Sequence, residues 1–165
     1  MKYWILSTFF FLAGCGYQPA SHLAKNVLGE SVSTEVVISM EDPQNSVIIK
    51  DAVDTAVITK FRTSLVSKNV ASTHLKISIG SVSFSPLRYD TDGYVITYRT
   101  SVGMVISRMF QGKVKNYTTH GTYDFEIEPN AIISDQARFE AIRQGAQKGI
   151  DAFVAQIAAE GANSK

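Results

Sequence analysis

The stretch YVITYRTSVGMVISRMFQGKVKNYTTHGTYDFEIE, residues 94–128, decides the fold of this chain. Apolar side chains occupy alternate positions up to the pair Gln111-Gly112, and they alternate again beyond it. Alternation with a period of two is typical of a β-strand with one buried face, and a two-residue connection containing glycine is typical of a hairpin turn. The sequence therefore predicts a long hairpin of about 15 residues per arm. The predicted inward-facing residues are Tyr94, Ile96, Tyr98, Val102, Met104, Ile106 and Phe110 in the first arm and Tyr117, Tyr123, Phe125 and Ile127 in the second.

The segment before this hairpin also alternates, but its phase changes at Gly80. Apolar residues occupy odd positions before this glycine and even positions after it. A β-bulge adds one residue to a strand and restores its register, so a bulge at or near Gly80 is predicted. The bulge would keep five side chains inward: Leu75, Ile77, Ile79, Val82 and Phe84. A loop over residues 85–93 is predicted to follow, because Asp92-Gly93 is a strong turn signal.

Two further segments have the spacing of amphipathic helices. The first follows a predicted strand over residues 33–40, with Asp42 placed to cap it and Pro43 at the first helical position. Its apolar stripe is predicted to be Ile49, Val53, Ala56, Val57, Phe61 and Leu65. The second begins near Ser134 or Asp135. Its buried stripe is predicted to be Phe139, Ile142, Ala146, Ile150, Phe153 and Ile157.

The element order is therefore β-α-β-β-β-α. We expect an α+β two-layer sandwich, in which a four-stranded, mainly antiparallel sheet carries both helices on one face. The opposite face is predicted to be polar, and it is either wet or covered by something else. Its residues are Thr97, Arg99, Ser101, Ser107, Thr118, His120 and Thr122.

The N-terminus has the features of a cleaved signal. Lys2 precedes an apolar run over residues 3–12 that is too short to span a bilayer, and the single cysteine, Cys15, follows it. We expect a signal peptide over residues 1–14, an acylated N-terminus and tether over 15–30, a single domain over 31–160 and a disordered tail over 161–165. A secretory signal with a chance cysteine is the alternative.

Composition excludes several classes of function. The chain has 16 basic and 15 acidic side chains, and loss of Lys2 with the signal leaves 15 of each. No global charge would therefore attract nucleic acid. With Cys15 acylated, no cysteine remains for a disulfide or a thiolate metal site.

The sequence contains no convincing catalytic or metal-binding motif, so we expect no enzyme activity, cofactor or metal. His120 and Asp124 share one strand face, but this spacing is more typical of a solvated surface than of an acid–base couple. Residues 90–93 resemble the start of a calcium loop without its remaining ligands, and we interpret them as a turn. Ser78, Ser81, Ser83 and Ser85 have no histidine placed to activate them.

Four basic residues are candidates for binding a phosphorylated amphiphile: Arg88, Arg108, Lys113 and Lys115. Lys113 and Lys115 share a strand face beside Gln111-Gly112, and Arg108 lies across the hairpin. Paired cations bind phosphate well when partly desolvated. The alternative is that hairpin tips carry lysines for solubility and to prevent edge pairing.

The sequence resembles the LptE type of lipopolysaccharide-assembly lipoprotein. Leu12-Ala13-Gly14-Cys15 is similar to a lipobox, and it continues into Gly16-Tyr17-Gln18, similar to the start common in that family. Residues 83–94, SFSPLRYDTDGY, are similar to versions from epsilon-class proteobacteria. The topology and length of the body agree with the same family.

This resemblance implies a location and a partner. It implies diacylglycerol on the Cys15 sulfur, a further acyl chain on its amine, and, with Gly16 rather than aspartate after it, the periplasmic face of the outer membrane. It also implies a non-enzymatic plug inside the LptD β-barrel that aids barrel assembly and receives lipopolysaccharide. An auxiliary lipoprotein of an ABC-type lipid transporter is the alternative.

Overall fold

The computed structural model describes residues 26–37, 43–60 and 63–163. It contains five strands: β1 (Ser31–Val37), β2 (Ser64–Leu65), β3 (Thr73–Tyr89), β4 (Val95–Phe110) and β5 (Lys113–Glu126). It also contains two long helices, α1 (Pro43–Thr59) and α2 (Asp135–Asn163). Among the described helices, none has the length and apolar content needed to cross a membrane.

The sheet has five strands in the order β2-β1-β3-β4-β5. The strands β3, β4 and β5 form an antiparallel meander, whereas β1 is parallel to both β2 and β3. The α+β class is therefore confirmed, but the expectation of four strands in a mainly antiparallel sheet is wrong. The parallel pairing is possible because α1 carries the chain back along the sheet between β1 and β3.

The first helix ends earlier than its apolar spacing predicted. It stops at Thr59, and Leu65 pairs with Val32 in β2 instead of extending the helical stripe. Val53 and Val57 are buried as expected. The side chains of Ile49, Ala56 and Phe61, the predicted cap Asp42, and residues 38–40 of the predicted first strand lie outside the described part of the structure.

The predicted bulge in β3 is confirmed. The register between β3 and β4 shifts between Ile79 and Ser81, which leaves Gly80 as the extra residue. Ile79, Val82 and Phe84 consequently all pack against the core. The predicted loop over residues 85–93 is wrong, because β3 continues to Tyr89 and pairs with β4 beyond two further register shifts.

The hairpin of β4 and β5 is confirmed, with strands of 16 and 14 residues. Gln111 and Gly112 both have positive φ, 49° and 74°, as expected for a type I′ turn. Fourteen consecutive pairs run from Thr97 with Glu126 to Phe110 with Lys113 without a register shift. The arms therefore form one regular, continuous ribbon.

Both helices pack on the same face of the sheet. A small apolar space at the centre is lined from both helices and from β3 and β4 by Val53, Val57, Leu75, Ile77, Ile106, Ile150 and Phe153. The side-chain oxygen of Ser134 accepts a hydrogen bond from the Ala137 amide at 3.2 Å and so caps α2 at its predicted start. Phe139 was predicted to be buried but is 51% exposed. Arg138, about 100° away around the helix, lies over the Phe84 ring instead.

The ends of the domain differ from the predicted boundaries. Val27 and Leu28 are buried in the core, so the ordered domain begins within the predicted tether. At the other terminus α2 continues to Asn163, and Gly161 is buried. Residues 161–163 of the predicted tail are therefore helical.

Candidate functional site

The domain has two ends, defined by where its long strands stop. The proximal end comprises residues 26–35, 64–76, 107–117 and 156–163. The distal end comprises residues 88–99 and 124–138. One row of paired residues crosses all five strands at the proximal end: Leu65, Val32, Thr73, Phe110 and Lys113. The chain enters the domain here, since Thr73 Oγ1 donates to the Leu28 carbonyl at 2.6 Å and Arg108 Nη1 to the Val27 carbonyl at 3.2 Å.

A charged cluster at the proximal end is centred on Glu160, near the C-terminus of α2. Arg108 Nη2 donates to Glu160 at 2.8 Å, and Lys115 Nζ and the Tyr117 hydroxyl each donate at 2.6 Å. Arg108 and Lys115 face each other across the hairpin, and the Arg108 side chain is only 12% exposed. These contacts tie both strands of the hairpin to α2.

The protonation of this cluster follows from its surroundings. Burial by itself raises the pKa of Glu160, but hydrogen bonds from Lys115 and Tyr117 and the charge of Arg108 outweigh it and hold that pKa below its usual value of 4.5. Burial raises the pKa of Tyr117 well above its ordinary value, and the bond to Glu160 raises it further. The phenol therefore stays neutral and donates, while Glu160 stays ionised and balances charge from its two basic partners.

The structure brings together three of the four predicted basic residues. Arg108 and Lys115 belong to the Glu160 cluster, and Lys113 lies exposed at the same hairpin tip, with no ion pair to any described side chain. Arg88 lies at the distal end, where it pairs with Glu126 at 2.6 Å. The two groups are about 36 Å apart along β4. Lipopolysaccharide binding by these residues stays a prediction.

The predicted polar face is the side of the sheet opposite the helices, and we call it the outer face. Its cross-strand rows include Ser83 with Ser101 and Thr122, and Ser81 with Gly103 and His120. The His120 ring and the Ser81 hydroxyl both approach Gly103 so closely that a side chain there would displace one of them. No described element covers this face.

His120 and Asp124 do not form the acid–base couple that their spacing allowed. Arg99 binds Asp124 through two hydrogen bonds, at 2.7 and 2.8 Å. The hydrogen bond from Arg99 holds the pKa of Asp124 below its usual value despite an opposing effect of burial. The carboxylate is therefore engaged by a guanidinium and is not placed to orient an imidazole.

The predicted calcium-like segment is a turn. Asp90 Oδ1 accepts from the Asp92 amide at 3.0 Å and from the Tyr94 amide at 2.8 Å, and Gly93 has a φ of 87°. Over the described residues, no group of three His, Cys, Asp or Glu side chains could hold a metal ion. Cys15, the predicted acylation site, lies outside the described part of the chain.

Sequence reasoning missed a polar network between β1 and β3. The Ser33 hydroxyl lies 2.9 Å from His74 Nδ1, and His74 Nε2 lies 3.2 Å from Glu35. Lys68 also binds Glu35, at 3.3 Å, and that hydrogen bond is the main reason why the pKa of Glu35 is lowered. Ser33 is buried and its hydroxyl is hydrogen-bonded within this network, so the network links β1 to β3.

A five-stranded mixed sheet with both helices on one face is also the fold of bacterial lipoproteins of known structure. Rare lipoprotein B from Shewanella oneidensis shares the fold with a TM-score of 0.52 and 15% identity, over 81% of this chain and 97% of that chain. A minor lipoprotein from Acinetobacter baumannii shares it with a TM-score of 0.51 and 10% identity, over 79% and 92%. At such identities the likeness establishes the fold alone.

The family model described as LptE, lipopolysaccharide-assembly, matches residues 34–157. The chain therefore belongs to the LptE family of lipopolysaccharide-assembly lipoproteins. No curated protein sequence matches it significantly. The matched range runs from within β1 to within α2. It includes the outer face, Arg108, Lys115 and Tyr117, and it ends three residues before Glu160.

Proposed function

We propose that this protein is acylated at Cys15, is held at the periplasmic face of the outer membrane, and forms a plug complex with the LptD β-barrel during lipopolysaccharide insertion. Membership of the family, over almost the whole described domain, is the observation that carries the proposal. The role is structural and binding, not catalytic.

The outer face supports a plug. The lumen of a large outer-membrane barrel is polar, so a body that fits inside it needs a rigid surface rich in hydrogen-bonding groups. Serine, threonine and histidine side chains from β3, β4 and β5 supply such a surface, and both helices lie on its other side. Three antiparallel strands with an uninterrupted β4–β5 register make that surface stiff.

The basic residues at the proximal end, Lys113, Arg108 and Lys115, support contact with lipopolysaccharide phosphates. Lys113 is exposed and free of described partners, so it can meet an anionic group directly. Arg108 and Lys115 already bind Glu160, and a phosphate would have to compete with that carboxylate. Lys113 is therefore the residue expected to govern the strength of initial binding, with the other two joining as Glu160 is displaced.

The direct test is co-purification of the full-length lipoprotein from outer membranes in mild detergent, with mass spectrometry of whatever accompanies it. Recovery of one LptD barrel in near-equal amount would support the plug. Recovery of permease components would favour an auxiliary transporter lipoprotein, and recovery of no barrel would contradict the proposal.

A pair of matched variants sharpens this test. Ser83→Arg places a large cation on the outer face, whereas Thr55→Arg places the same side chain on the exposed surface of α1. We expect the Ser83→Arg protein to remain folded and lose the barrel, and the Thr55→Arg protein to retain it. Equal recovery from both variants would exclude the outer face as the contact surface.

A further inference from the structure

Exposed apolar side chains lie at both ends of the domain. At the distal end they include Tyr89, Tyr94 and Ile132, whereas at the proximal end Val70 is 69% exposed, Val114 59% and Met109 47%. Met109 and Val114 are directly paired across the hairpin, so they form one apolar patch on the outer face. Val70 lies in the turn just before β3, whose first residue pairs with Phe110, one position from Met109. All three therefore sit around the last row of the sheet.

Charge is distributed unevenly between the two ends. The proximal end carries five bases, Lys68, Lys76, Arg108, Lys113 and Lys115, against three acids, Glu30, Glu35 and Glu160. The distal end carries six acids, Asp90, Asp92, Asp124, Glu126, Glu128 and Asp135, against three bases, Arg88, Arg99 and Arg138. An anionic surface would therefore attract the proximal end and repel the distal end.

The path of the chain leads to the same end. The described domain begins at residue 26, and Val27 and Leu28 are packed at the proximal end against β3 and β4. Ten residues lie between Cys15 and residue 26, and a flexible segment of that length spans about 20 Å on average. If Cys15 carries the anchor, as proposed above, the proximal end is held at high effective concentration beside the bilayer.

We propose that the proximal end is a membrane-contact surface. Val114, Met109 and Val70 reach into the interfacial region of a phospholipid bilayer, and Lys113 meets its anionic headgroups. The arrangement of apolar side chains flanked by lysine is the one that interfacial segments use to bind anionic lipid. On a bilayer that contains no barrel, the acidic distal end is consequently held away from the anionic headgroups.

A single-tryptophan reporter tests this contact. The only tryptophan of the sequence, Trp4, precedes Cys15 and is lost with the predicted signal peptide. The acylated Val114→Trp lipoprotein is incorporated into vesicles of phosphatidylethanolamine and phosphatidylglycerol whose acyl chains are brominated. We expect its emission to shift to shorter wavelength and to be quenched by bromine. The matched control is Ile132→Trp at the distal end, where the native side chain is 92% exposed, and its emission is expected to be unaffected.

Charge reversal supplies the second readout. Lys113→Glu in the Val114→Trp protein is expected to reduce the quenching, whereas Lys148→Glu, on α2 beside Tyr123, leaves it unchanged. Quenching at both reporter positions, or at neither, would overturn the inference. The intact mass is measured first, because absence of acyl chains would overturn the proposed anchor and this inference with it. No barrel is present in the vesicles, so failure of the plug proposal would not affect the result.

Discussion

Gly121 of β5 lies directly against Gly145 of α2, with no room for a side chain between strand and helix. A Cβ atom on Gly121 would overlap the Gly145 carbonyl oxygen and the Gly149 amide nitrogen. The two helical glycines are four residues apart and so lie on the same face of α2. This contact sets the distance between α2 and β5, the edge strand of the sheet.

Gly121→Ala is expected to destabilise the domain by about 3 kcal/mol, because the added methyl group forces α2 away from β5. Thermal or urea denaturation of the purified domain measures the loss. Gly80→Ala is the matched control, since its nearest neighbour would be the Gly103 carbonyl oxygen at an ordinary 3.5 Å. Equal stability of the two variants would show that the helix can shift without cost.

Glu160→Gln is expected to cost about 1 kcal/mol, because it removes the charge that Arg108 and Lys115 share. The pKa of Glu160 is lower in the folded than in the unfolded state, so its contribution is complete above the ordinary pKa of 4.5 and is lost as pH falls through the folded value. The stability difference between wild type and variant should therefore narrow in acid. Denaturation curves measured across this range provide the check.

A control for the size of this loss is Glu140→Gln, which removes an exposed carboxylate paired with Arg143 within α2. We expect a smaller loss of stability than for Glu160→Gln, because that pair is well solvated. If the difference in stability between wild type and Glu160→Gln stayed constant down to strongly acidic pH, the lowered pKa of Glu160 would be contradicted.

Charge reversal at the hairpin tip should separate binding from folding. Lys113→Glu is expected to weaken lipopolysaccharide binding about fivefold without lowering the melting temperature, because Lys113 has no partner among the described residues. Lys115→Glu should also lower the melting temperature, since it places a second carboxylate beside Glu160. Calorimetric titration and thermal unfolding of each single variant, and of the double variant, measure the two effects. Unchanged binding by the folded double variant would exclude Lys113 and Lys115 as lipopolysaccharide-binding residues.

Gln111→Asn is expected to stabilise the hairpin by about 0.5 kcal/mol. Gln111 has a positive φ of 49°, a conformation that asparagine adopts more readily than glutamine. Gln136→Asn, in the exposed first turn of α2, provides the control and should bring no gain. A lower melting temperature for Gln111→Asn would indicate that the glutamine side chain has a contact worth more than the relief of backbone strain.

The sheet meander was predictable because its signals are local. The change of phase at Gly80 lies within one strand, and the turn at Gln111-Gly112 joins neighbouring strands. The end of α1 was not predictable in this way, because Leu65 continues the helical spacing although it pairs with Val32, 33 positions earlier. The order of strands is likewise decided by packing between distant segments.

The Glu160 cluster was predictable only in part, because it joins residues that are close in the sequence to one that is distant. The sequence placed Arg108 and Lys115 across one hairpin, but Glu160 is separated from them by 52 and 45 residues and its arrival depends on the path of α2. Gly145 and Gly149 did offer a signal, since two glycines four apart in a helix mark a face that another backbone can approach. Their partner Gly121 was visible only once β5 and α2 were placed together.

The parallel position of β1 also has a consequence for the order in which the protein acquires its structure. The β3–β4–β5 meander needs only short loops to close, whereas Ser33 meets His74 across 41 residues of sequence. We therefore expect the meander and α2 to form the folding nucleus, and β1 to dock late. The N-terminal residues 26–37 would then be the last part of the described domain to become fixed, after the meander and α2 have already assembled.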